Sequence, residues 1–490
     1  MITVDTVPGP PGPPTAERMT AIEELDYLLD RPDEPNLVLM ETRCHGHLDR
    51  DGLAEAVRVA FAADAGARRR LAAVPRWGRH PYWRPAIPPS AATPLTVVSW
   101  RTPAELAALR ERLFAWPIAL ADAAVRVTLA VGPEYDVVIL QIHHTSGDGI
   151  ASLRLFRSVA DAYRARALPL HAVPAPPDPP ASPAPPNSPA PPALPAPSAL
   201  LAPSAPPDPS TPARARTPRP RPGPRGPSWP GSVTRIARQG GQPGRPGYGF
   251  ILVSEPVARP AVLAAGPQPT VNDLLVAAVC LAIDRWNAAQ GRASGQISVT
   301  IPVNGRPPAR RWQGDGNRSW LTRVVTTPAD RADPARLLGR VTAQTRAAKE
   351  RGRSGVDAMS RGLATGWAPV GVKRRAARLV RSLTAPVLTD TTVVSNLGLL
   401  PDPPSFDGSG TEPMWLAPPC PMPRGLSVGA ATVAGQLHLS VRYRLALLDR
   451  AAAGDFMAGF RACLRELARP EPETAPATAP ATGPEGSARS

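Results

Sequence analysis

Two adjacent histidines, His143 and His144, are followed after three residues by Asp148 and Gly149 in the run His143-His144-Thr145-Ser146-Gly147-Asp148-Gly149. Imidazole titrates near neutral pH, so a histidine held over a crevice can take the proton of a hydroxyl or amine as that group attacks a carbonyl. Neighbouring side chains on extended backbone point to opposite sides, so one of the two histidines faces a substrate. Asp148 can neutralise a cation, and Gly147 and Gly149 permit backbone conformations closed to other residues. No Gly-x-Ser-x-Gly elbow is present, and Cys44, Cys280, Cys420 and Cys463 lack the context of a nucleophile. Direct transfer between two bound substrates is the simpler scheme.

An isolated histidine pair is most often structural; here the flanking pattern favours chemistry. Val137 to Ile142 is a continuous apolar run suited to a buried strand. Ile150, Leu153, Phe156, Val159, Ala160 and Tyr163 recur at helical spacing, which puts the motif on a strand-to-helix turn. Before it, residues 36–42 and 124–131 read as strands, and residues 51–62 as a helix opened by Asp49 or Asp51. After it, residues 250–253, 297–302 and 323–327 read as strands, and residues 271–286 as a helix with Thr270 as N-cap. Leu437, Leu439, Val441 and Tyr443 alternate as in a strand, and Phe456, Phe460, Cys463 and Leu464 mark a closing amphipathic helix. The expected class is α/β (α+β) with mixed or antiparallel sheets.

At 490 residues, 43% of them apolar, the chain can bury a sizeable core in two lobes. Its 67 prolines are bunched, and from Leu168 onward Pro, Ala, Ser and Arg leave little to bury. The expected organisation is a flexible N-terminus (1–16), a first lobe (17–167), a disordered Pro/Ala/Arg-rich linker (168–247), a second lobe (248–468) and a disordered tail (469–490). Scattered cysteines, no signal peptide and no apolar run of roughly 18 residues suit a cytoplasmic protein. The net charge of +16 reflects an Arg-rich composition, and the arginines from Arg214 to Arg225 lack interleaved aromatics, so no nucleic-acid partner is expected. Cys44-His45-Gly46-His47 puts alternate residues on opposite faces, so no metal is expected there, and Asp315-Gly316-Asn317 reads as a turn and only weakly as a ligand site. Lys373, Arg374, Arg375, Arg378 and Arg381 interleave with Ala377, Leu379, Val380 and Leu383 in a basic amphipathic helix. It suits a solvated face, a dock for an acidic carrier protein or coenzyme A phosphates, or a weak membrane-surface contact.

His143-His144-x-x-x-Asp148-Gly149 resembles the HHxxxDG signature of the chloramphenicol-acetyltransferase-like superfamily, which includes condensation domains, polyketide-associated acyltransferases, plant acyltransferases and wax ester synthases. The resemblance covers both lobes. Gly46-x-Leu48-Asp49 is similar to the family's first strand-to-helix step, and Thr270-Val271-Asn272-Asp273 to a helix start of many members. Ile301-Pro302-Val303-Asn304-Gly305-Arg306-Pro307 resembles the segment whose arginine pairs with the motif aspartate, and Val394-Ser395-Asn396-Leu397-Gly398 the loop near the substrate channel. The linker is longer than the family's usual connection. Trp116-Pro117-Ile118 and Leu399-Leu400-Pro401 depart from the wax-synthase pattern, which points to the condensation or polyketide-associated type.

The resemblance implies two lobes arranged as a V with a tunnel between them. It makes His144 the general base and gives His143, Asp148, Gly149 and Arg306 supporting roles, with Ser395, Asn396 and Gly398 along the substrate channel. The implied activity is an acyltransferase for groups other than aminoacyl groups, of secondary metabolism or lipid biosynthesis. Acyl-CoA or a phosphopantetheine thioester on a carrier protein is the co-substrate, an alcohol or amine the acceptor, no cofactor or metal is bound, and a monomer suffices. Two other readings stand beside it: a non-catalytic condensation-like module that binds a carrier protein or ligand, and a wax-ester or diacylglycerol type lipid acyltransferase at a membrane surface.

Overall fold

Runs of buried apolar residues build two large mixed sheets in the computed structural model, which describes residues 16–85, 95–167, 233–312, 316–351 and 361–468, apart from 258, 259, 262, 264, 265 and 363. The first 15 residues, the tail from 469 and the expected linker up to residue 232 lie outside the described residues. Strands run in chain order β1 (Glu17–Arg18), β2 (Leu37–Arg43), β3 (Arg69–Leu71), β4 (Tyr82–Pro85), β5 (Leu95–Ser99), β6 (Val125–Val131) and β7 (Val137–His143). They continue as β8 (Tyr248–Pro256), β9 (Ile297–Asn304), β10 (Ser319–Thr326), β11 (Thr392–Leu399), β12 (Met414–Ala417), β13 (Leu426–Val433) and β14 (Gln436–Arg444). The helices are α1 (Ala21–Leu29), α2 (Arg50–Ala63), α3 (Ala65–Arg68), α4 (Pro103–Ala115), α5 (Gly149–Ala167), α6 (Val271–Ala289), α7 (Pro328–Arg331), α8 (Pro334–Arg351), α9 (Val370–Leu388) and α10 (Arg450–Leu467).

The first sheet has the order β12-β2-β7-β6-β5 and the second β10-β9-β11-β13-β14-β8, with a small sheet β1-β4-β3 beside them. Apolar faces of α2 and α5 cover the first large sheet through Leu53, Val57, Leu153, Phe156 and Val159. Helices α6, α8 and α10 cover the second through Leu274, Ile283, Leu338, Val341, Phe456 and Phe460. Asp49 caps α2, taking the N–H groups of Asp51 and Gly52, and Thr270 caps α6 in a capping box with Asp273, as the sequence led us to expect.

The two halves are not separate bodies. Strand β12 comes from the second half of the chain yet pairs antiparallel with β2, Met414 opposite Thr42, at the edge of the first sheet. The described residues before and after residues 168–229 form one compact unit. Strand β14 shows how they adhere. Its alternation suggests a strand buried on one face, but every residue from Leu437 to Arg444 is buried. Leu437, Leu439, Val441 and Tyr443 join the helix-covered core. On the other face, Ser440 bonds to the carbonyl of Leu416, and Arg442 donates to the carbonyls of Leu37 (3.0 Å) and Pro418 (3.3 Å). The Arg442 guanidinium lies 4.0 Å from the Tyr248 ring centroid and 4.3 Å from that of Phe114, so its flat faces are covered by π surfaces.

Two expectations need correction. The second half starts earlier than Tyr248: Ile236 and Ala237 are buried in its core, and the Ala237 N–H donates to Asn287 (2.7 Å). Small and polar neighbours hide these few apolar residues from a reading by composition. The basic helix α9 exposes more than its arginines. Lys373 is fully buried, whereas Leu379, Val380 and Leu383 are exposed.

Candidate active site

The motif turn is fastened strand by strand. The His143 N–H donates to the carbonyl of Ala124 (2.9 Å) and the His144 N–H to that of Asn36 (2.8 Å), so the histidines continue the sheet just past its hydrogen-bonded end. The Ser146 N–H and hydroxyl both donate to the His143 carbonyl (2.8 Å each), which closes the turn before α5. Asp148 then accepts the N–H groups of Ile150 (3.1 Å) and Ala151 (2.9 Å), satisfying donors at the start of the helix.

Asp148 is also the buried centre of a wider clamp. Arg306, two residues past the end of β9, donates to both of its carboxylate oxygens (2.8 and 3.2 Å). The Arg318 N–H (3.0 Å) and the Ser319 hydroxyl (2.9 Å) donate to it as well. Burial pushes the pKa of Asp148 up, but the hydrogen bonds and charge of Arg306 and the N–H groups of Ala151 and Arg318 outweigh it and hold the carboxyl below the usual range. Arg306 also donates to Gly316 (3.3 Å), and Gly316 bridges Gly147, so a loop of the second half lies along the motif.

Each histidine faces an acid from α1. Thr20 and Glu23 form a capping box that starts this helix, and Leu25 and Leu28 turn inward. Asp26 on the helix and Asp30 at its C-cap are one turn apart and share a face. His143, almost fully buried, has Nε2 3.4 Å from Asp30, while its Nδ1 accepts the Thr145 N–H (3.3 Å). Burial raises the pKa of Asp30, but the hydrogen bond and charge of His143 carry it below the usual value. The His144 side chain is 25% exposed, with Nδ1 3.4 Å from Asp26. Asn317 donates to Asp26 (2.9 Å), and its amide nitrogen lies 3.1 Å from the same Nδ1. Burial, the largest influence, lowers the pKa of His144; hydrogen bonding and charge from Asp26, then Asp148 and the residue's own backbone, outweigh it and raise the pKa. A ring proton held on Nδ1 by the Asp26 carboxylate leaves the Nε2 lone pair for a substrate.

The channel residues, expected on a loop of the second half, lie instead on strand β11. The pairing of β11 with β13 shifts between Asn396 and Leu399. The Asn396 side chain accepts the Gly398 N–H (2.8 Å), and Gly398 has φ +78°, a conformation that favours glycine. Between them Leu397 is buried and stands where a Cβ on Gly149 would meet it at 3.5 Å. Ser395, Asn396 and Gly398 are half-buried, and among the described residues none of them bonds to His144.

Glycine plays another part in the motif than expected. Neither Gly147 nor Gly149 has a positive φ. Gly147 is needed for space, since a Cβ there would sit 2.8 Å from Ile142, whereas one on Gly149 would find ordinary contact. Asp26, Asp30 and Ser319 escaped the sequence reading, and Asn317 entered it as a turn residue and only weakly as a ligand. The signal for the acids was two carboxylates four residues apart near a short helix; Asp315 of the turn lies outside the described residues. His45 and His47 pair with Asp407 (2.7 Å) and Asp136 (3.1 Å). A cavity of about 610 Å³ opens beside the start of α1, between Arg18, His80 and Thr365, away from His144.

No protein-family model matches the chain. It is 29% identical over 461 residues to the uncharacterized protein Rv2305 of Mycobacterium tuberculosis and to its counterpart in a second strain, spanning 91% of this chain and 98% of each relative. Among solved structures it is similar to the first condensation domain of the calcium-dependent antibiotic synthetase, bound to a substrate analogue (TM-score 0.56, 15% identity, 92% of this chain and 96% of that one). It is also similar to the starter condensation domain of rhizomide synthetase with C8-CoA and Leu-SNAC (TM-score 0.55, 13% identity, 92% and 94%). A third is the wax ester synthase/diacylglycerol acyltransferase of Marinobacter aquaeolei VT8 (TM-score 0.53, 13% identity, 92% and 98%). The chain has the two-lobed fold of condensation domains and of this acyltransferase, so the resemblance noted in the sequence holds at the level of fold.

Proposed function

We propose that the chain is an acyltransferase that moves an acyl group from a thioester to a hydroxyl or amine, with His144 as general base. The observation that carries this reading is the environment of His144. Its Nδ1 is engaged by Asp26, its ring is partly exposed, and its turn is clamped by Asp148 and Arg306. In this reading Nε2 takes the proton of the acceptor as its oxygen or nitrogen attacks the thioester carbonyl. The tetrahedral oxyanion collapses, the carbon–sulfur bond breaks, and the thiolate leaves with the proton returned by the imidazolium. His143, Asp148, Gly149 and Arg306 keep the base in place, and the β11 segment of Ser395, Asn396 and Gly398 borders the acyl chain.

Two further points support a thioester donor. The condensation domain of rhizomide synthetase is described with C8-CoA, and the Marinobacter protein is a wax ester synthase/diacylglycerol acyltransferase. Acyl-CoA or acylated phosphopantetheine on a carrier protein is therefore the donor we propose, and one chain holds the whole site. The test is thiol release from a panel of acyl-CoA and acyl-carrier donors with mixed alcohols and amines, using wild type and His144→Ala. Release that depends on the acceptor and vanishes in the variant supports transfer. Tight binding of one donor without release from any would make the chain a binding module.

A further inference from the structure

We propose that α9 is a docking face for an anionic lipid bilayer surface. One side of the helix is committed to α1: Val370 and Ala377 pack with Leu28, and the Lys373 ammonium meets the buried Glu24 carboxylate. The other side is apolar and open. Val372, Leu379, Val380 and Leu383 are 45%, 60%, 57% and 71% exposed. At 3.6 residues per turn they form an arc roughly 100° wide, the width that a surface helix ordinarily turns to the core.

Two tryptophans extend the patch. Trp367, 55% exposed, lies just ahead of the helix. Trp77, 72% exposed, is brought alongside because the Val370 N–H donates to the carbonyl of Gly78 (2.8 Å). Half of the large apolar side chains that stand exposed among the described residues belong to this one surface, a concentration that marks an interaction site.

Charge selects the occupant. The patch is rimmed by exposed Arg76, Arg79, Arg375 and Arg378, and α9 carries no acid along its 19 residues. Of the acids beside α9, Glu24 is engaged by Lys373, Glu34 by Arg381 and Arg31, Asp30 by His143 and Asp33 by Arg31. A second copy would bring like charges together. A bilayer with anionic headgroups takes the apolar arc into its acyl boundary, the indole rings at headgroup depth and the arginine heads at the phosphates. The chain's net charge of +16 draws it to such a surface. Among the described residues no helix is long and apolar enough to cross a membrane, so α9 lies along the surface. Its inner side packs on α1, the helix that carries Asp26, so the docked face is one helix layer from His144. Docking holds whether or not the chain transfers acyl groups.

The experiment is flotation of the full chain with vesicles of phosphatidylcholine alone or with phosphatidylglycerol, at low and high salt. Wild type is expected to float with the anionic vesicles, and far less with neutral ones or at high salt. Leu379→Ser/Leu383→Ser, checked for an unchanged melting temperature, is expected to stay at the bottom. Arg76→Gln/Arg375→Gln is expected to weaken binding about fivefold for each arginine removed. Wild type that does not float, or serine variants that float equally well, would overturn the proposal. So would a wild-type dimer in sedimentation that the serine variants convert to monomer, because the occupant would then be a second copy.

Discussion

Asp26 stands 3.4 Å from Nδ1 of His144, and the contact depends on an anchor one turn further along the same helix, where Asp30 faces His143 at the same distance. A single short helix thus meets both histidines of the turn, one pair buried and structural, the other opening towards solvent. The arrangement raises the pKa of His144 against the pull of burial. Asp26 touches no reacting atom in this reading; it is a positioning residue that acts through the imidazole.

Replacing Asp26 by Asn is therefore expected to shift a pH profile as well as lower a rate. A base with a raised pKa is protonated and idle below it, so kcat/KM climbs as pH rises through that value. Without the Asp26 charge, burial drives the pKa of His144 down and the rising limb moves to lower pH. The stabilisation that Asp26 gives the protonated ring is fully present below the unfolded pKa and lost as pH rises through the folded one. A limb that stays in place would show that Asp26 does not set the basicity of His144.

His144→Ala is expected to cut turnover roughly 10²–10⁴-fold, the usual worth of a general base. Because the ring is partly exposed, the melting temperature should barely move. Thiol release and thermal unfolding of the same preparation check both halves of this expectation.

Arg306→Met strands Asp148 as a buried charge and is expected to destabilise the fold by about 3–5 kcal/mol, read from urea denaturation at neutral pH. The pKa of Asp148 is depressed, so its stabilising contribution is present above the ordinary carboxylate value and lost as pH falls through the folded one. Arg306→Met should flatten that acid-side loss. An equally steep loss would place its origin in other carboxylates.

The two motif glycines should respond differently. Gly147→Ala drives a Cβ against Ile142 and is expected to cost about 1–3 kcal/mol, with relief from Ile142→Val. Gly149→Ala meets only ordinary contact with Leu397 and is expected to be neutral or to stabilise by up to about 1 kcal/mol. Equal losses at both positions would mean that the turn itself, and not the space beside Ile142, requires glycine.

Much of the frame was legible in the sequence. The buried run from Val137 to Ile142, the helical spacing after Gly149 and the caps Asp49 and Thr270 are local patterns, set by side-chain periodicity and by hydrogen bonds within a few residues. Arg306 was named through family resemblance, and the structure brings it to Asp148. The buried polar face of β14 was not legible, because alternation reports one apolar face and cannot tell whether the other meets water or a second sheet.

By itself, then, the sequence determined some of the strands and helices and that a histidine pair ends a buried strand. Only tertiary structure decided which acids meet those histidines, that β12 crosses to the first sheet, and that α9 turns Lys373 inward and its leucines out. The physical reason is distance along the chain. Periodicity and capping act within a turn or two, whereas a pKa, a buried ion pair or an exposed face depends on which remote element packs against it, and no local pattern records that choice.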